Sequence, residues 1–147
     1  MFKHILVPTD GSALSCACVT RAISFAKEAG ARITFFCAEQ SFPAMYYGMG
    51  AIIDAHAPTR FHEEVDSVAN EILDAAELQA QAAGVECAKL SLVSAEPYDA
   101  IVSAAQRNDC DLIFMASHGR RGLSALLLGS ETQKVLAYSK IPVLVHR

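Results

Sequence analysis

Five short apolar runs, separated by stretches whose apolar residues recur at helical spacing, set the narrowest limit on what this chain can become. The first run, Ile5-Leu6-Val7, is closed by Pro8 and the turn-forming Thr9-Asp10-Gly11-Ser12. A helix is expected from there to about Ala29, with Leu14, Cys18, Ala22 and Phe25 on one face and Gly30 as its stop signal. Ile33-Thr34-Phe35-Phe36-Cys37 is β-branched and aromatic, which predicts a second strand. Farther on, Phe61, Val65, Val68 and Ile72 mark a long helix that ends at Gly84. Val85 to Val93 predicts a third strand, more polar than the first two and so placed near a sheet edge.

Pro97 then opens a short helix, at a position where the missing N–H does no harm. The continuous run Leu112-Ile113-Phe114-Met115 predicts a central strand buried on both faces. A glycine-rich segment from Gly119 to Gly129 leads into a helix containing Val135 and Leu136. Val143-Leu144-Val145 closes the pattern as a fifth strand, and Pro142 at its start suits an edge. Such alternation implies an α/β fold, a doubly wound and mostly parallel sheet with helices on both faces and right-handed crossovers. Sheets of this class bind ligands beyond the carboxyl ends of their strands, where the winding reverses. Thr9-Asp10 and Ala116-Ser117-His118-Gly119 are therefore the places to look.

Composition narrows the partners. The 147 residues match a single domain spanning 1–147. At 52% hydrophobic and 19% charged, the chain has enough apolar surface to offset its folding entropy. A net charge of −4 and a pI near 5.7 argue against nucleic acid or an anionic membrane as the main partner. The opening MFKHILVPTDGS carries no secretory pattern, and no segment approaches the ~20 apolar residues of a membrane helix, so a cytoplasmic protein is expected. Five scattered cysteines (Cys16, Cys18, Cys37, Cys87, Cys110) form neither a disulfide framework nor a C-x-x-C site, and buried or half-buried free thiols are expected.

Three features converge on phosphate. Gly119, Gly122 and Gly129 let the backbone curl close to a ligand. Ser130 and Thr132 stand at the start of the last helix, where unpaired N–H groups and the dipole favour an anion. Asp10 ends a strand, from which a carboxylate can reach sugar or base hydroxyls. Arg120 and Arg121 flank the loop, either as phosphate partners or as solvated side chains. His56 and His62 fit no zinc pattern, and G-x-x-x-x-G-K-[S/T] is absent, which excludes a P-loop on motif. The stretch from Gln40 to Arg60, with Phe42, Met45, Tyr46, Tyr47 and Met49, is a lid, a partner surface or an irregular cover over the sheet end.

Ile5-Leu6-Val7-Pro8-Thr9-Asp10-Gly11-Ser12 resembles the opening of the universal stress proteins. Ala116-Ser117-His118-Gly119, nine residues, then Gly129-Ser130 is similar to that family's ATP-binding signature G-2x-G-9x-G-[S/T], and Ile141-Pro142-Val143-Leu144-Val145 to its last strand. The resemblance covers the whole chain in order. It implies a five-stranded parallel sheet in the order 3-2-1-4-5, of adenine nucleotide hydrolase-like Rossmann type. It also implies a homodimer through the edge strand Val143-Val145, pairing antiparallel across a two-fold axis.

Carried over by position, Pro8, Thr9 and Asp10 line the adenine and ribose end, and the backbone of Ala38 meets the adenine. Met115 and Ala116 close over the nucleoside, while Gly119, Gly129 and Ser130 cradle the phosphates with Thr132 assisting. The implied ligand is ATP, with Mg²⁺ bridging its phosphates, and the implied role is nucleotide-dependent binding or signalling in stress response. No catalytic residue is assigned, and slow ATP hydrolysis is the upper limit of activity. The alternative is a nucleotide-free dimeric adaptor, and Ala116 favours it, standing where the signature has its first glycine. If that position demands φ > 0 or very close approach, the methyl costs on the order of 1 kcal/mol, roughly fivefold in affinity.

Overall fold

The computed structural model describes residues 1–43, 45, 54–120 and 127–147. Tyr46, Tyr47, Met49, Arg121 and Gly122 lie outside them. The strands are β1 (His4–Pro8), β2 (Arg32–Gln40), β3 (Cys87–Ser94), β4 (Leu112–Ala116) and β5 (Val143–His146). All pairings are parallel, in the order β3-β2-β1-β4-β5, as the family resemblance implies. The winding reverses between β1 and β4, so the crevice opens above those two strand ends.

Between the strands run α1 (Ala13–Ala29), α2 (Ala57–Ala83), α3 (Pro97–Arg107) and α4 (Ser130–Tyr138). Strand alternation explains the continuous apolar runs. Ile5, Val7, Leu112 and Phe114 face one core beneath α1 and α2, while Leu6, Ile113 and Met115 face another beneath α3 and α4. Phe35 and Phe36 point to opposite cores and are both fully buried, contributions of about 1.5–3 kcal/mol each. The ends of α1 follow local rules: the Ser12 hydroxyl accepts from Ser15 N–H, and Gly30 closes the helix in the left-handed region at φ 63.

Two expectations shift. The buried stripe of α2 is Ala69, Leu73, Ala76 and Ala80, one residue round from the Val65, Val68 and Ile72 row, and Val68 is exposed. Small alanines let this helix lie close to β2 and α1, so shape sets its rotation more than the hydrophobicity of single residues. Among the thiols, Cys18, Cys37 and Cys110 are buried and Cys87 is half-buried, but Cys16 is exposed. Among the described residues, no helix is long and apolar enough to cross a membrane.

The two sheet edges differ. On β3, the Lys89 ammonium sits 2.7 Å from Asp74 and 2.8 Å from Glu77 on α2, and these two hydrogen bonds raise its pKa above the ordinary lysine value. A charged side chain pinned on an edge discourages another strand from adding there. On β5, Val143, Leu144, Val145 and His146 are all only half-buried.

At the amino end of the sheet, His4 is buried with Nε2 2.8 Å from the Thr34 hydroxyl. Its Nδ1 faces the Asn108 backbone without a hydrogen bond of normal geometry. Burial first, and Arg32 second, hold its pKa below the ordinary 6.5, against the opposing pull of Asn108, Asp111 and Asp109. The unfolded chain therefore takes up this proton first as pH falls. Stability supplied by neutral His4 is complete above 6.5 and drains away as pH drops through that value towards the folded pKa. Urea midpoints measured at about pH 7.5 and about pH 5.5 are expected to differ more for the native chain than for His4→Gln. An equal pH response in the two proteins contradicts this role.

Candidate functional site

The carboxyl end of β1 is organised by short side chains. Thr9 N–H donates to the Phe36 carbonyl at 2.8 Å, carrying the strand register one residue beyond Pro8. The buried Ser15 hydroxyl donates to Thr9 Oγ1 at 2.8 Å and accepts from Asp10 N–H at 3.1 Å. Ser15 thus fixes the turn from inside α1. Its place in the first turn after Thr9-Asp10-Gly11-Ser12 is the only sequence signal for that role.

Asp10 joins two loops. Its Oδ1 accepts from Ser12 N–H at 3.0 Å, and its Oδ2 accepts from Arg120 N–H at 2.8 Å across the crevice. Charge-assisted bonds of this kind are about twice as strong as neutral ones. The contact explains Gly119: a Cβ there would lie 2.6 Å from Asp10 Oδ2. Arg120 sends its guanidinium over the β1–α1 turn, where a Cβ placed on Gly11 would be 3.6 Å from Nη2. A recess of about 250 Å³, bordered by Thr9, Gly11, Cys16 and Ile72, opens on the α1–α2 side of this turn, away from α4.

Beyond β4 the chain is held just as closely. Ser117 N–H donates to the His146 carbonyl at 2.7 Å, and Gly129 N–H donates to the Ser117 carbonyl at 2.8 Å. A Cβ on Gly129 would stand 3.2 Å from that carbonyl oxygen and 3.3 Å from His118 Cα. Gly129 has φ −60 and ψ 151, and neither it nor Gly119 is among the positive-φ glycines, so both positions need closeness and not an unusual backbone. Thr132 is buried, and its hydroxyl donates between the carbonyls of Ala116 (3.1 Å) and Ser117 (3.2 Å). It therefore ties α4 to the end of β4 and presents no free hydroxyl to the crevice.

What faces the crevice at α4 is backbone. No side chain caps its N-terminus, and the Ser130 hydroxyl is exposed and unengaged among the described residues. First-turn amides without acceptors carry partial positive charge and suit an anion. Glu131 would oppose an anion, but its carboxylate turns aside to accept from Tyr98 N–H at 2.8 Å. His118 also turns inward, with Nδ1 3.0 Å from the Ser117 hydroxyl.

The structure brings Asp10, Gly119, Gly129 and Ser130 around one crevice, between Pro8-Thr9 on one side and the end of β4 on the other. The side chains of Met115 and Ala116 point into the two cores, so only their backbone can face a ligand. Ala116 has ordinary strand geometry opposite His146 and is not among the positive-φ residues. Its methyl packs in the core, so the conformational cost expected of it does not arise. Ala38 lies one strand further out, opposite Leu92. No three metal-binding side chains cluster among the described residues, and near His56 the Asp54 carboxylate is taken by Arg60 and by His56 N–H.

Comparison with known proteins gives a consistent picture. The model described as "Universal stress protein family" matches residues 1–147. The universal stress protein YxiE of Bacillus subtilis is 30% identical over 151 residues, covering 100% of both chains. Among solved structures, protein MJ0577 of Methanocaldococcus jannaschii superimposes with a TM-score of 0.78 at 25% identity, covering 99% of this chain and 95% of its own. A universal stress protein in complex with cAMP superimposes with a TM-score of 0.71 at 27% identity, covering 99% and 97%.

Two substitutions test the loop geometry. Gly119→Ala forces Asp10 off its bond to Arg120 N–H and is expected to destabilise the fold by about 1–3 kcal/mol. Thr132→Val removes the hydroxyl shared by the Ala116 and Ser117 carbonyls, leaving Ser117 with Gly129 N–H alone, and is expected to cost about 1–3 kcal/mol. Urea unfolding measures both, and values within ~0.5 kcal/mol of the native chain contradict these assignments.

Proposed function

The chain belongs to the universal stress protein family, and from that premise we propose that it binds an adenine nucleotide, most naturally ATP, in the crevice between β1 and β4. The observation that carries this reading is the uncapped N-terminus of α4, with exposed Ser130, held against the end of β4 by Gly129. Phosphates sit on those amides, and the nucleoside runs towards Pro8, Thr9, Asp10 and Ala38. The relative solved with cAMP, alike over nearly the whole chain, supports the same ligand class. Among the described residues no three metal-binding side chains cluster, so Mg²⁺ would be carried by the nucleotide itself and would supply neutralising charge there.

The protein acts as a cytoplasmic binding or signalling component of stress response, with slow hydrolysis of ATP at most. Asp10, Glu131 and His118 already hold backbone or side-chain partners around the crevice, which favours a holding site over a reacting one. The nucleotide-free adaptor drew its support from Ala116, and the ordinary strand backbone there withdraws it. We also propose a homodimer through β5 by antiparallel pairing of Val143-Val145. That edge is unguarded, whereas Lys89 guards the other.

Isothermal titration with ATP, AMP and cAMP tests the ligand. Folded protein that takes up none of them at millimolar concentration refutes the reading. Gly129→Val pushes the helix start away from Ser117 and His118 and is expected to abolish binding while the dimer persists; unchanged affinity contradicts the phosphate cradle. Val145→Lys is expected to yield monomers in sedimentation, since a charge on the pairing edge opposes strand addition. A native chain that sediments as a monomer defeats the dimer directly.

A further inference from the structure

The first turn of α3 leaves one donor over, and α4 supplies its acceptor. Glu96 N–H donates to the Ser94 hydroxyl at 3.0 Å, and Pro97 has no N–H to place. The N–H groups of Asp99 (3.1 Å) and Ala100 (3.2 Å) both donate to the Glu96 carbonyl. That leaves Tyr98 N–H, which no side chain of α3 caps. Its acceptor is Glu131 Oε2 at 2.8 Å, reaching across from the first turn of α4. The other oxygen, Oε1, lies 3.5 Å from the Lys134 ammonium one turn further along α4. That ammonium stands 5.1 Å from the centre of the Tyr98 ring, which packs on Tyr138 at 5.3 Å. The carboxylate is thus held on both oxygens, in the seam between α3 and α4.

Its root in the chain makes that bond more than a cap for α3. Glu131 belongs to the same first turn of α4 whose free amides face the crevice. A carboxylate in the first turn of a helix is drawn to that helix's own amides and positive end. Tethered there, it competes with a dissolved anion at an effective concentration of roughly millimolar. Tyr98 N–H is a rival of the same kind, the positive end of a second helix, and it draws the carboxylate sideways. Both helices begin at the carboxyl end of the sheet, since α3 follows β3 and α4 follows β4. One acidic side chain therefore chooses between two neighbouring positive ends.

We propose that Glu131 is a positioning residue that keeps the phosphate end of the crevice open. Held by Tyr98 N–H, it leaves the amides of α4 to the ligand; released, it takes the ligand's place. A shift of Pro97-Tyr98 away from α4 would free the carboxylate, so α3 is coupled to the site. The assignment rests on the adenine-nucleotide reading above. Side-chain length decides the outcome. Glutamate spans the seam, whereas aspartate, one methylene shorter, keeps the charge and falls outside hydrogen-bond range of Tyr98 N–H. Glutamine spans the seam without charge, and alanine brings neither charge nor acceptor.

Isothermal titration of ATP into the native chain and three variants is the test. Glu131→Asp is expected to weaken binding roughly fivefold, the weight of a charge at a helix end. Glu131→Gln and Glu131→Ala are expected to tighten it by up to about twofold, although alanine breaks the link to α3. Raising sodium chloride from about 0.05 M to about 0.5 M is expected to shrink the gap between native and aspartate chains, because salt screens the repulsion. Lys134→Gln loosens the second hold and is expected to weaken binding about twofold, an effect that vanishes beside Glu131→Gln. That pair covers the case of an aspartate variant that folds poorly by circular dichroism. An aspartate variant that binds like the native chain overturns the role of Glu131. So does an alanine variant as weak as the aspartate one, since the link is then mechanical and not electrostatic. A Lys134 effect undiminished beside Glu131→Gln also overturns it, because the ammonium then serves the phosphate directly. All three outcomes leave nucleotide binding standing, whereas a native chain that takes up no ATP defeats the adenine-nucleotide reading itself.

Discussion

Burial of one sheet on both faces is the constraint from which the remaining features follow. Ile5 and Val7 need cover on one side and Leu6 on the other, so the connections must be crossovers carrying helices to both faces. Once both faces are closed, side chains in the sheet are unavailable for chemistry. Only the strand ends and the loops above them remain. Met115 and Ala116 illustrate this: they lie at the crevice in sequence, yet their side chains belong to the cores.

Above the strand ends, precision comes from polar contacts at very short range. Asp10 links the β1 turn to the loop after β4, and Ser15 holds Asp10 and Thr9 from below. Thr132 and Gly129 fasten α4 to Ser117 on the far side. The result is a helix start placed firmly at the winding reversal, with its amides facing outward and its acidic neighbour Glu131 drawn off to Tyr98. Rigid supports of this kind lower the ordering cost of binding.

The fold was legible because its signals were local and redundant. Leu112-Ile113-Phe114-Met115 could only be a strand covered on both sides, and Pro97 and Pro142 sit where their missing N–H groups do no harm. The face of α2 was less legible, because Ala69, Ala76 and Ala80 give a weak hydrophobic signal while packing best. Glycines at 119 and 129 were found by motif, but their reason is a neighbour's atom and not a dihedral angle. Thr132 looked like a ligand donor from its place in the first turn, and only the fold shows the carbonyls beneath it.

The pinned lysine on β3 bears on how large an assembly can grow. A sheet with two open edges can add copies at both ends without limit, as a ribbon. Here Lys89 on the edge strand β3 is held by Asp74 and Glu77, a charge that disfavours strand addition at that edge. Pairing at β5 about a two-fold axis would bury the other edge against its own twin and leave two disfavoured edges facing outward. Growth would then terminate at a closed pair, with fibre formation suppressed by a single cation held in place.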